Sequence, residues 1–368
     1  MDAMSMGVTS TGVTSTAVTD SGGASAAIGG RVTAHVRERE AGGPDALPLD
    51  ELLAAGEPVV LRGLARDWSL VRAGLESPRV AMDLLRSHYN GRPVQYNWGE
   101  PETAGRPFYR EDFTRLNCEV RRNGLDQVLD ELASLLDEPR PPTYYLASLP
   151  VDSVLPGLRQ ANDLDFAAHG VDAPPSIWIG NRVIASCHYD APNNIACVAV
   201  GRRRFTLFPP DQICNLYPGP LEPTPGGQAV SVVDFVEPDF ERHPRFREAL
   251  TVAQTALLEP GDAIFIPSMW WHHVEGLDAF NVLVNYWWSS MPAYIPTPMH
   301  ALYHALWTIR DRPEREKQAW KQVFEHYIFG PADGAGAHLP EQARGVLGPV
   351  DETMARQLRA MLIGKLNR

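Results

Sequence analysis

The most regular feature of the chain is a series of short apolar segments between residues 176 and 289, separated by Gly, Pro, Asn and Asp. Apolar segments of this length, bounded by turn residues, are typical of strands. Strands are predicted at 176–179, 183–189, 195–200, 205–208, 263–266 and 280–288. Many short strands at this spacing favour a sandwich or a barrel. The predicted fold class is mainly β, with a double-stranded β-helix, or jelly roll, at its centre.

Helical spacing of apolar residues appears on both sides of this region. Before it, we expect N-terminal α/β elements with helices near 50–53, 78–90 and 124–138 and strands at 58–64 and 144–147. After Pro296 three apolar stripes predict a C-terminal helical unit. Its aromatic residues exceed what capping a finished barrel requires; they include Trp307, Trp320, Phe324 and Tyr327. The stripes pack either on the barrel or on a second subunit, and we predict a homodimer formed through these helices.

Composition divides the chain into three parts. Residues 1–30 are almost entirely Ser, Thr, Gly, Ala and Val with a near-repeat, and they lack the large side chains of a core, so a disordered leader is predicted. Residues 31–295 are predicted to be the catalytic domain with its N-terminal flanking elements, and 296–368 the helical dimerisation region. With 44% hydrophobic residues in 368, the chain is long enough to bury a large core.

Several partners and compartments are disfavoured by composition. No apolar stretch approaches the roughly 20 residues of a membrane span, so no membrane partner is expected. The N-terminus shows no secretory signal, and four scattered cysteines form no CxxC pair, which indicates a reduced, cytoplasmic protein. The net charge of −12 argues against general, nonspecific binding of nucleic acid. Binding of nucleic acid through a local basic groove is still compatible with this charge.

The candidate chemistry lies in two separated motifs. Residues i and i+2 of a strand point to one face, so His188 and Asp190 present an imidazole and a carboxylate side by side. A second imidazole follows the tryptophan pair at 270–271, and either His272 or His273 can supply it, because adjacent strand residues face opposite ways. Two histidines and one carboxylate with open positions are typical of non-haem Fe(II) oxygenases.

These motifs belong to a longer pattern. It comprises Gly201–Pro210, Leu216–Pro218, Val233–Phe235 and Asn285–Trp287 in addition to the histidine motifs. In this order they resemble the Jumonji C oxygenases, most closely the cupin-like branch that contains the asparaginyl hydroxylase of the hypoxia-inducible factor. The resemblance covers roughly residues 48–290. It implies Fe(II) as the metal, 2-oxoglutarate as co-substrate and dioxygen as oxidant, and it selects His272 as the ligand while His273 is structural.

The resemblance also assigns the co-substrate pocket. Arg203 occupies the position where relatives commonly place a lysine that binds the distal carboxylate of 2-oxoglutarate, and Tyr145 matches a tyrosine that binds the same group. Asn194 and Asn285 match amides near the chelating end, and Trp287 walls the pocket. A threonine of the relatives corresponds to Ala185. Alternation along the strand indicates that Ser186 shares a face with His188 and supplies the missing hydroxyl.

The substrate is the least constrained part of the prediction. The Arg-Gln pair with which the asparaginyl hydroxylase contacts its peptide corresponds to Ala229 and Val230, so asparaginyl hydroxylation is not carried over. We predict hydroxylation of a protein or peptide side chain. The alternatives are the same chemistry on an RNA base, an N-methyl group or a small molecule, or a catalytically silent cupin that acts as a binding protein.

Overall fold

The computed structural model describes residues 32–367, so the predicted leader at 1–30 lies outside the described residues. The chain forms two compact units, one ending at Trp288 and one starting at Ser289. The strands of the first unit are β1 Ala34–His35, β2 Arg37–Glu40, β3 Val59–Arg62, β4 Val94–Gly99, β5 Glu119–Asn123, β6 Thr143–Pro150, β7 Pro175–Gly180, β8 Ile184–Tyr189, β9 Asn193–Val200, β10 Arg203–Phe208, β11 Gln254–Leu258, β12 Ala263–Ile266, β13 Trp271–Gly276 and β14 Asn281–Trp288.

Six α-helices accompany these strands in the described part of the first unit. They are α1 Leu49–Ala55, α2 Ser69–Glu76, α3 Pro78–His88, α4 Leu125–Ser134, α5 Val151–Val154 and α6 Phe246–Val252. Helix α3 shows how the sequence sets a helix start. Its N-cap Ser77 accepts a hydrogen bond of 3.2 Å from the amide of Val80, and Pro78 occupies the first helical position, where no amide donor is required.

Two sheets build the jelly roll. One has the strand order β2-β3-β12-β9-β14-β7-β6-β4-β5, and the other has the order β1-β11-β10-β13-β8. The central pairs are antiparallel. The six strands predicted between residues 176 and 289 correspond to β7, β8, β9, β10, β12 and β14. The predicted fold class, a mainly β jelly roll, is confirmed.

The sheets enclose one core, and the helices form a second on the outside. Strand β9 shows the division, because all eight of its residues are buried. Ala196 and Val198 point between the sheets with Phe205 of β10, whereas Ile195 and Cys197 face the helical layer. A strand covered on both faces loses the polar alternation of a surface strand, and its sequence is accordingly almost entirely apolar.

The N-terminal segment 32–41 joins both sheets. Strand β1 pairs in parallel with β11 of the smaller sheet, and β2 pairs in parallel with β3 of the larger one. Three side chains anchor the segment in three separate apolar clusters. Val32 lies with Phe246 outside the smaller sheet, Val36 lies between the sheets, and Ala41 lies in the helical layer. This segment, which we call the strap, closes one side of the jelly roll.

The second unit is helical, with α7 Met299–Thr308, α8 Glu314–Phe324 and α9 Glu352–Leu366. Helix α9 begins at the N-cap Asp351, which accepts a hydrogen bond of 2.7 Å from the amide of Met354. The predicted apolar stripes are present but largely exposed; Trp307 is 73% exposed, and Tyr327 and Ile328 are also exposed. Among residues 32–367, no helix is long and apolar enough to cross a membrane.

Candidate metal centre

Two paired strands bring the predicted triad together. His188 near the end of β8 lies directly opposite His272 on β13, and Asp190 follows two residues after His188. One donor atom from each of the three side chains lies within 4.8 Å of the others. Oδ2 of Asp190 is 3.6 Å from Nε2 of His272, and the two imidazole rings are 4.3 Å apart. This is the spacing of ligands around one metal ion.

Backbone carbonyls orient both imidazoles in the same way. Nδ1 of His188 lies 2.8 Å from the carbonyl of Ser186, and Nδ1 of His272 lies 3.0 Å from the carbonyl of Trp270. Since a carbonyl only accepts, Nδ1 carries the proton and Nε2 keeps its lone pair for a metal. Burial, together with the neighbouring His188, lowers the pKa of His272 to about 4, which keeps the ring neutral at physiological pH.

A β-bulge in β8 determines which of its side chains lie on the same face as His188. His188 pairs with His272 and Ala185 pairs with Val274, so two residues of β8 oppose one residue of β13. The extra residue reverses the alternation, and Ala185 lines the pocket together with His188. The expectation that Ser186 shares a face with His188 is therefore wrong. Ser186 lies outside the pocket, where its Oγ accepts a hydrogen bond of 3.0 Å from Nε of Arg106.

Arg203 and Tyr145 add further polar groups to the pocket that contains the triad. Arg203 is 6% exposed, and its Nε has no hydrogen-bond partner among the described residues. Burial lowers the pKa of Arg203 to about 10 and raises that of Tyr145 to about 12, so the guanidinium is charged and the phenol neutral at neutral pH. A buried guanidinium nitrogen without an acceptor is costly unless a ligand supplies one.

A chain of side-chain hydrogen bonds crosses the pocket wall. Nε1 of Trp178 donates to Oδ1 of Asn285 at 2.7 Å, and Nδ2 of Asn285 donates to Oδ1 of Asn194 at 3.1 Å. Trp287 packs edge-on against Trp178, with ring centroids 5.6 Å apart, and its Nε1 donates to Oδ2 of Asp190 at 3.2 Å. The structure thus brings Asn194, Asn285 and Trp287 to the site, and each is held in a fixed orientation.

The second histidine after the tryptophan pair points away from the triad. His273 stacks on Phe235 with ring centroids 4.4 Å apart, and neither ring nitrogen has a hydrogen-bond partner among the described residues. Burial, with Arg106 as the next cause, lowers the pKa of His273 to about 3, so the ring is neutral. His272 is therefore the residue that the fold places at the metal centre.

Trp178 and Arg106 are hydrogen-bonding side chains of the site region that were not predicted. Trp178 alternates with the buried Ile177 and Ile179 in a strand that was predicted, so the alternation alone places its indole on the opposite, inner face. Arg106 lies in an irregular loop outside any periodic pattern, and no signal in the sequence singled it out.

The residues present fit both groups that the triad implies. Two imidazoles that point Nε2 toward the pocket and a carboxylate beside them suit Fe(II) with open positions. The unpaired Nε of Arg203 on the pocket wall suits a carboxylate, which a guanidinium binds in a two-point arrangement. The jelly roll and this donor set together define a cupin-type oxygenase site.

Comparison with known proteins places the chain within that class. Residues 44–294 match the cupin-like domain family, so the chain belongs to this family. Its relatives identify it as Jumonji-type, a class of Fe(II)- and 2-oxoglutarate-type oxygenases, and the resemblance inferred from the motifs is confirmed.

Three relatives illustrate the range of the family. The lysine-specific demethylase JMJ31 of Arabidopsis thaliana is 31% identical over 281 residues, which cover 67% of this chain and 48% of that protein. The human HSPB1-associated protein 1 is 37% identical over 126 residues, covering 33% of this chain and 25% of that protein. The tRNA wybutosine-synthesizing protein 5 of Gallus gallus is 36% identical over 106 residues, covering 29% of this chain and 30% of that protein. The matches span about half or less of these curated relatives.

Proposed function

We propose that this protein is an Fe(II)- and 2-oxoglutarate-dependent oxygenase that hydroxylates a side chain of a protein or peptide. One observation carries the proposal: Arg203, whose Nε has no hydrogen-bond partner among the described residues, lines the same pocket as His188, Asp190 and His272. A metal site alone is compatible with many reactions. A metal site that shares a pocket with a buried carboxylate-binding cation is suited to a dicarboxylate that chelates at one end and forms an ion pair at the other.

Each side chain has a defined task in this proposal. His188, Asp190 and His272 would hold Fe(II), and Arg203 with Tyr145 would bind the distal carboxylate of 2-oxoglutarate. Fe(II), when bound, supplies the activation of dioxygen that is coupled to conversion of 2-oxoglutarate into succinate and CO2. The linked amides of Asn285 and Asn194 present fixed polar groups beside the chelating end. The indoles of Trp178 and Trp287 exclude water from that end.

The first experiment measures succinate formed from 2-oxoglutarate by the purified protein with Fe(II). We expect slow turnover without substrate and faster turnover with peptides from a lysate, one of which gains one oxygen atom from isotopically labelled dioxygen. Asp190→Ala should abolish both signals, whereas Asp130→Ala, which removes an exposed carboxylate outside the pocket, should keep them. Iron-loaded protein without turnover on any peptide would contradict the proposal.

A second candidate function is removal of an N-methyl group from a lysine side chain. The observation that favours it is the similarity to the Arabidopsis thaliana relative, whose name describes it as a lysine-specific demethylase. The same site chemistry serves both reactions, because hydroxylation of an N-methyl carbon releases formaldehyde. Formaldehyde release with methylated lysine peptides, and no stable oxygen gain, would select this candidate. A tRNA is tested in parallel as a third kind of substrate, because one relative is a tRNA wybutosine-synthesizing protein.

The binding-protein alternative predicts that the triad is dispensable. All three ligands are present and correctly spaced, and the two imidazoles are held with Nε2 free. Such an arrangement supports chemistry rather than a silent cupin. A wild-type phenotype in cells that carry the Asp190→Ala variant would instead favour the binding role.

We also propose that the protein is a homodimer that functions in the cytoplasm. The helices α7 and α8 bury no side chain fully, and several of their large apolar residues are exposed, Trp307 most of all. Apolar side chains that are exposed together commonly mark an interaction surface. A second copy of the same unit is the simplest partner for such a surface, since a two-fold interface is complementary to itself. All four cysteines are free thiols, which suits a reducing compartment.

A further inference from the structure

The strand that carries His188 is the edge strand of its sheet. Strand β8 pairs with β13 on one side, and no strand of the described chain pairs with its other side. Individual contacts from two loops replace a neighbouring strand there. The carbonyl of Gly105 accepts a hydrogen bond of 2.8 Å from the amide of Ile184, and the amide of Ser231 donates one of 2.7 Å to the carbonyl of Cys187. The third contact is the bond from Arg106 to Ser186.

Arg106 is held on every side of its guanidinium. Nε donates to Oγ of Ser186 at 3.0 Å, one terminal nitrogen contacts Oδ2 of Asp234 at 3.2 Å, and the other donates to the carbonyl of Val233 at 3.1 Å. The ring of Phe108 packs beneath it, 3.8 Å from the guanidinium carbon. The side chain is only 15% exposed. Arg106 thus fixes the position of β8 relative to the loop at 229–235 in one geometry.

Ser186 connects this contact to the metal centre. Its side chain accepts from Arg106, and its carbonyl accepts from Nδ1 of His188. The residue lies in the β-bulge, where the pairing of β8 with β13 is interrupted. A bulged residue lacks the regular ladder bonds that fix a strand, so its carbonyl direction depends on other contacts. Here the contact on its side chain is Arg106.

We propose that Arg106 is a positioning residue for the metal ligand His188, acting through Ser186. By holding the bulge, it fixes the carbonyl that sets the tautomer and the ring direction of His188. The inference rests on the proposed function, because it requires that His188 binds a metal. It adds to that function a residue that touches neither the metal nor the co-substrate. Groups that orient ligand histidines typically contribute about 10- to 100-fold to metal affinity.

The experiment compares Co(II) binding by the metal-free wild type with that of three variants and a control, using the visible absorption of the bound ion to measure both affinity and geometry. The variants are Arg106→Lys, Ser186→Ala and the double variant. Lysine keeps the charge and most of the stem but has one point of contact in place of the fork, so it cannot hold Ser186, Val233 and Asp234 together. We expect Arg106→Lys to bind Co(II) about 10-fold more weakly, with a changed spectrum.

The double variant and a remote control separate positioning from general stability. If Arg106 acts through Ser186, the double variant should bind Co(II) no more weakly than Arg106→Lys alone. The control is Arg86→Lys, which removes another partly buried guanidinium that contacts two carboxylates, those of Asp83 and Asp130, away from the pocket. It should lower the urea midpoint of unfolding but leave Co(II) affinity and spectrum unchanged.

Two results would overturn the inference, and they differ from failure of the proposed function. Wild-type Co(II) affinity and spectrum in Arg106→Lys would exclude a positioning role, and so would fully additive losses in the double variant. If Arg106→Lys does not fold, Ser186→Ala alone tests the positioning role. This variant removes only the oxygen that accepts from Arg106, and it should still weaken Co(II) binding. Absence of Co(II) binding by the wild-type protein would refute the metal site itself and with it the proposed function.

Discussion

The indole of Trp287 donates its Nε1 hydrogen to Oδ2 of Asp190 at 3.2 Å, and the same oxygen lies 3.6 Å from Nε2 of His272. The carboxylate of the triad is therefore oriented by a side chain, whereas both imidazoles are oriented by backbone carbonyls. Trp287 also packs edge-on against Trp178, which lines the pocket, so the orientation of this carboxylate is linked to the packing of the pocket wall.

Replacing Trp287 with Phe keeps an aromatic ring beside Trp178 and removes the hydrogen-bond donor to Asp190. We expect metal affinity to fall about 10-fold, because Asp190 loses the bond that fixes its rotamer. Titration of the metal-free protein with Co(II) measures the change. Trp288→Phe is the matched control, since that indole packs against Phe166 and Phe265 in the helical layer. Equal Co(II) affinity in Trp287→Phe and wild type would show that this bond does not orient the ligand.

Arg203→Met should change co-substrate binding and stability in opposite directions. Loss of the guanidinium should weaken 2-oxoglutarate binding by about 3 kcal/mol, roughly 100-fold, because the distal carboxylate would be buried without its cation. Iron binding should remain. The protein without co-substrate should unfold at higher urea concentration, since a buried charge whose Nε lacks a partner is replaced by an apolar chain of similar length.

The neighbouring Arg204 provides the control for that experiment. It lies on the other face of β10 and contacts Glu275 at 3.5 Å, with both side chains largely buried. Arg204→Met should destabilise the protein, because Glu275 loses a cationic partner, and should leave the affinity for 2-oxoglutarate unchanged. An unchanged 2-oxoglutarate affinity in Arg203→Met would move the carboxylate site to Tyr145 or another group.

His243 predicts a loss of stability on acidification. The ring is buried against Tyr217 at 4.9 Å, and Nδ1 has no hydrogen-bond partner among residues 32–367. Burial, then Arg242, lowers the pKa of His243 below its ordinary value of 6.5, while Asp239 opposes the shift. The unfolded chain takes up a proton near pH 6.5 before the folded chain does, so this group makes unfolding easier as pH falls through that value.

The comparison uses urea midpoints of wild type and His243→Phe from roughly pH 8 to pH 5, the range in which histidine titrates. Phenylalanine keeps an edge-on ring contact with Tyr217 and removes the titrating group. The variant should lose less stability than wild type over this range. Parallel curves for the two proteins would show that His243 does not contribute to the pH dependence.

The dimer proposal is tested by charge on the most exposed aromatic residue of the second unit. Light scattering of the wild type should give about twice the chain mass of 40.6 kDa. Trp307→Glu should shift the protein toward the monomer, because one substitution affects a two-fold interface twice. Leu75→Glu, at a residue 67% exposed on α2, is the matched control and should remain dimeric. A monomeric wild type would contradict the proposal.

Periodicity in the sequence predicted the strands and placed His188 and Asp190 on one face, because i, i+2 alternation holds wherever a strand is regular. Alternation left His272 and His273 as alternatives, and the family resemblance selected His272, which the pairing of β8 with β13 brings opposite His188. Trp178 faces inward by the alternation rule. The alternation failed at Ser186, where one extra residue in β8 turns the following side chains over. A bulge depends on the pairing with β13 and on loops distant in sequence, neither of which a local pattern records.

The sequence also failed to predict site residues that lie in loops. Arg106 contacts Ser186 and Asp234, which are 80 and 128 positions away in sequence. Its surroundings are set by tertiary packing, and an arginine in a loop is ordinarily solvated. The helices of the second unit show the converse case: their apolar stripes were predicted correctly, but a pattern of apolar positions does not specify what covers them.

The strap has a consequence for how the chain assembles as it is synthesised. Ala34 pairs with Gln254, so the first described strand has no partner until more than half of the chain has been made. At about 5–20 residues per second, that interval is on the order of ten seconds or more. His272 emerges only slightly later than β11. Val32 and Val36 are therefore made long before the strand β11 that β1 pairs with. The jelly roll can close, and the metal site can gain His272, only at nearly the same late stage of synthesis.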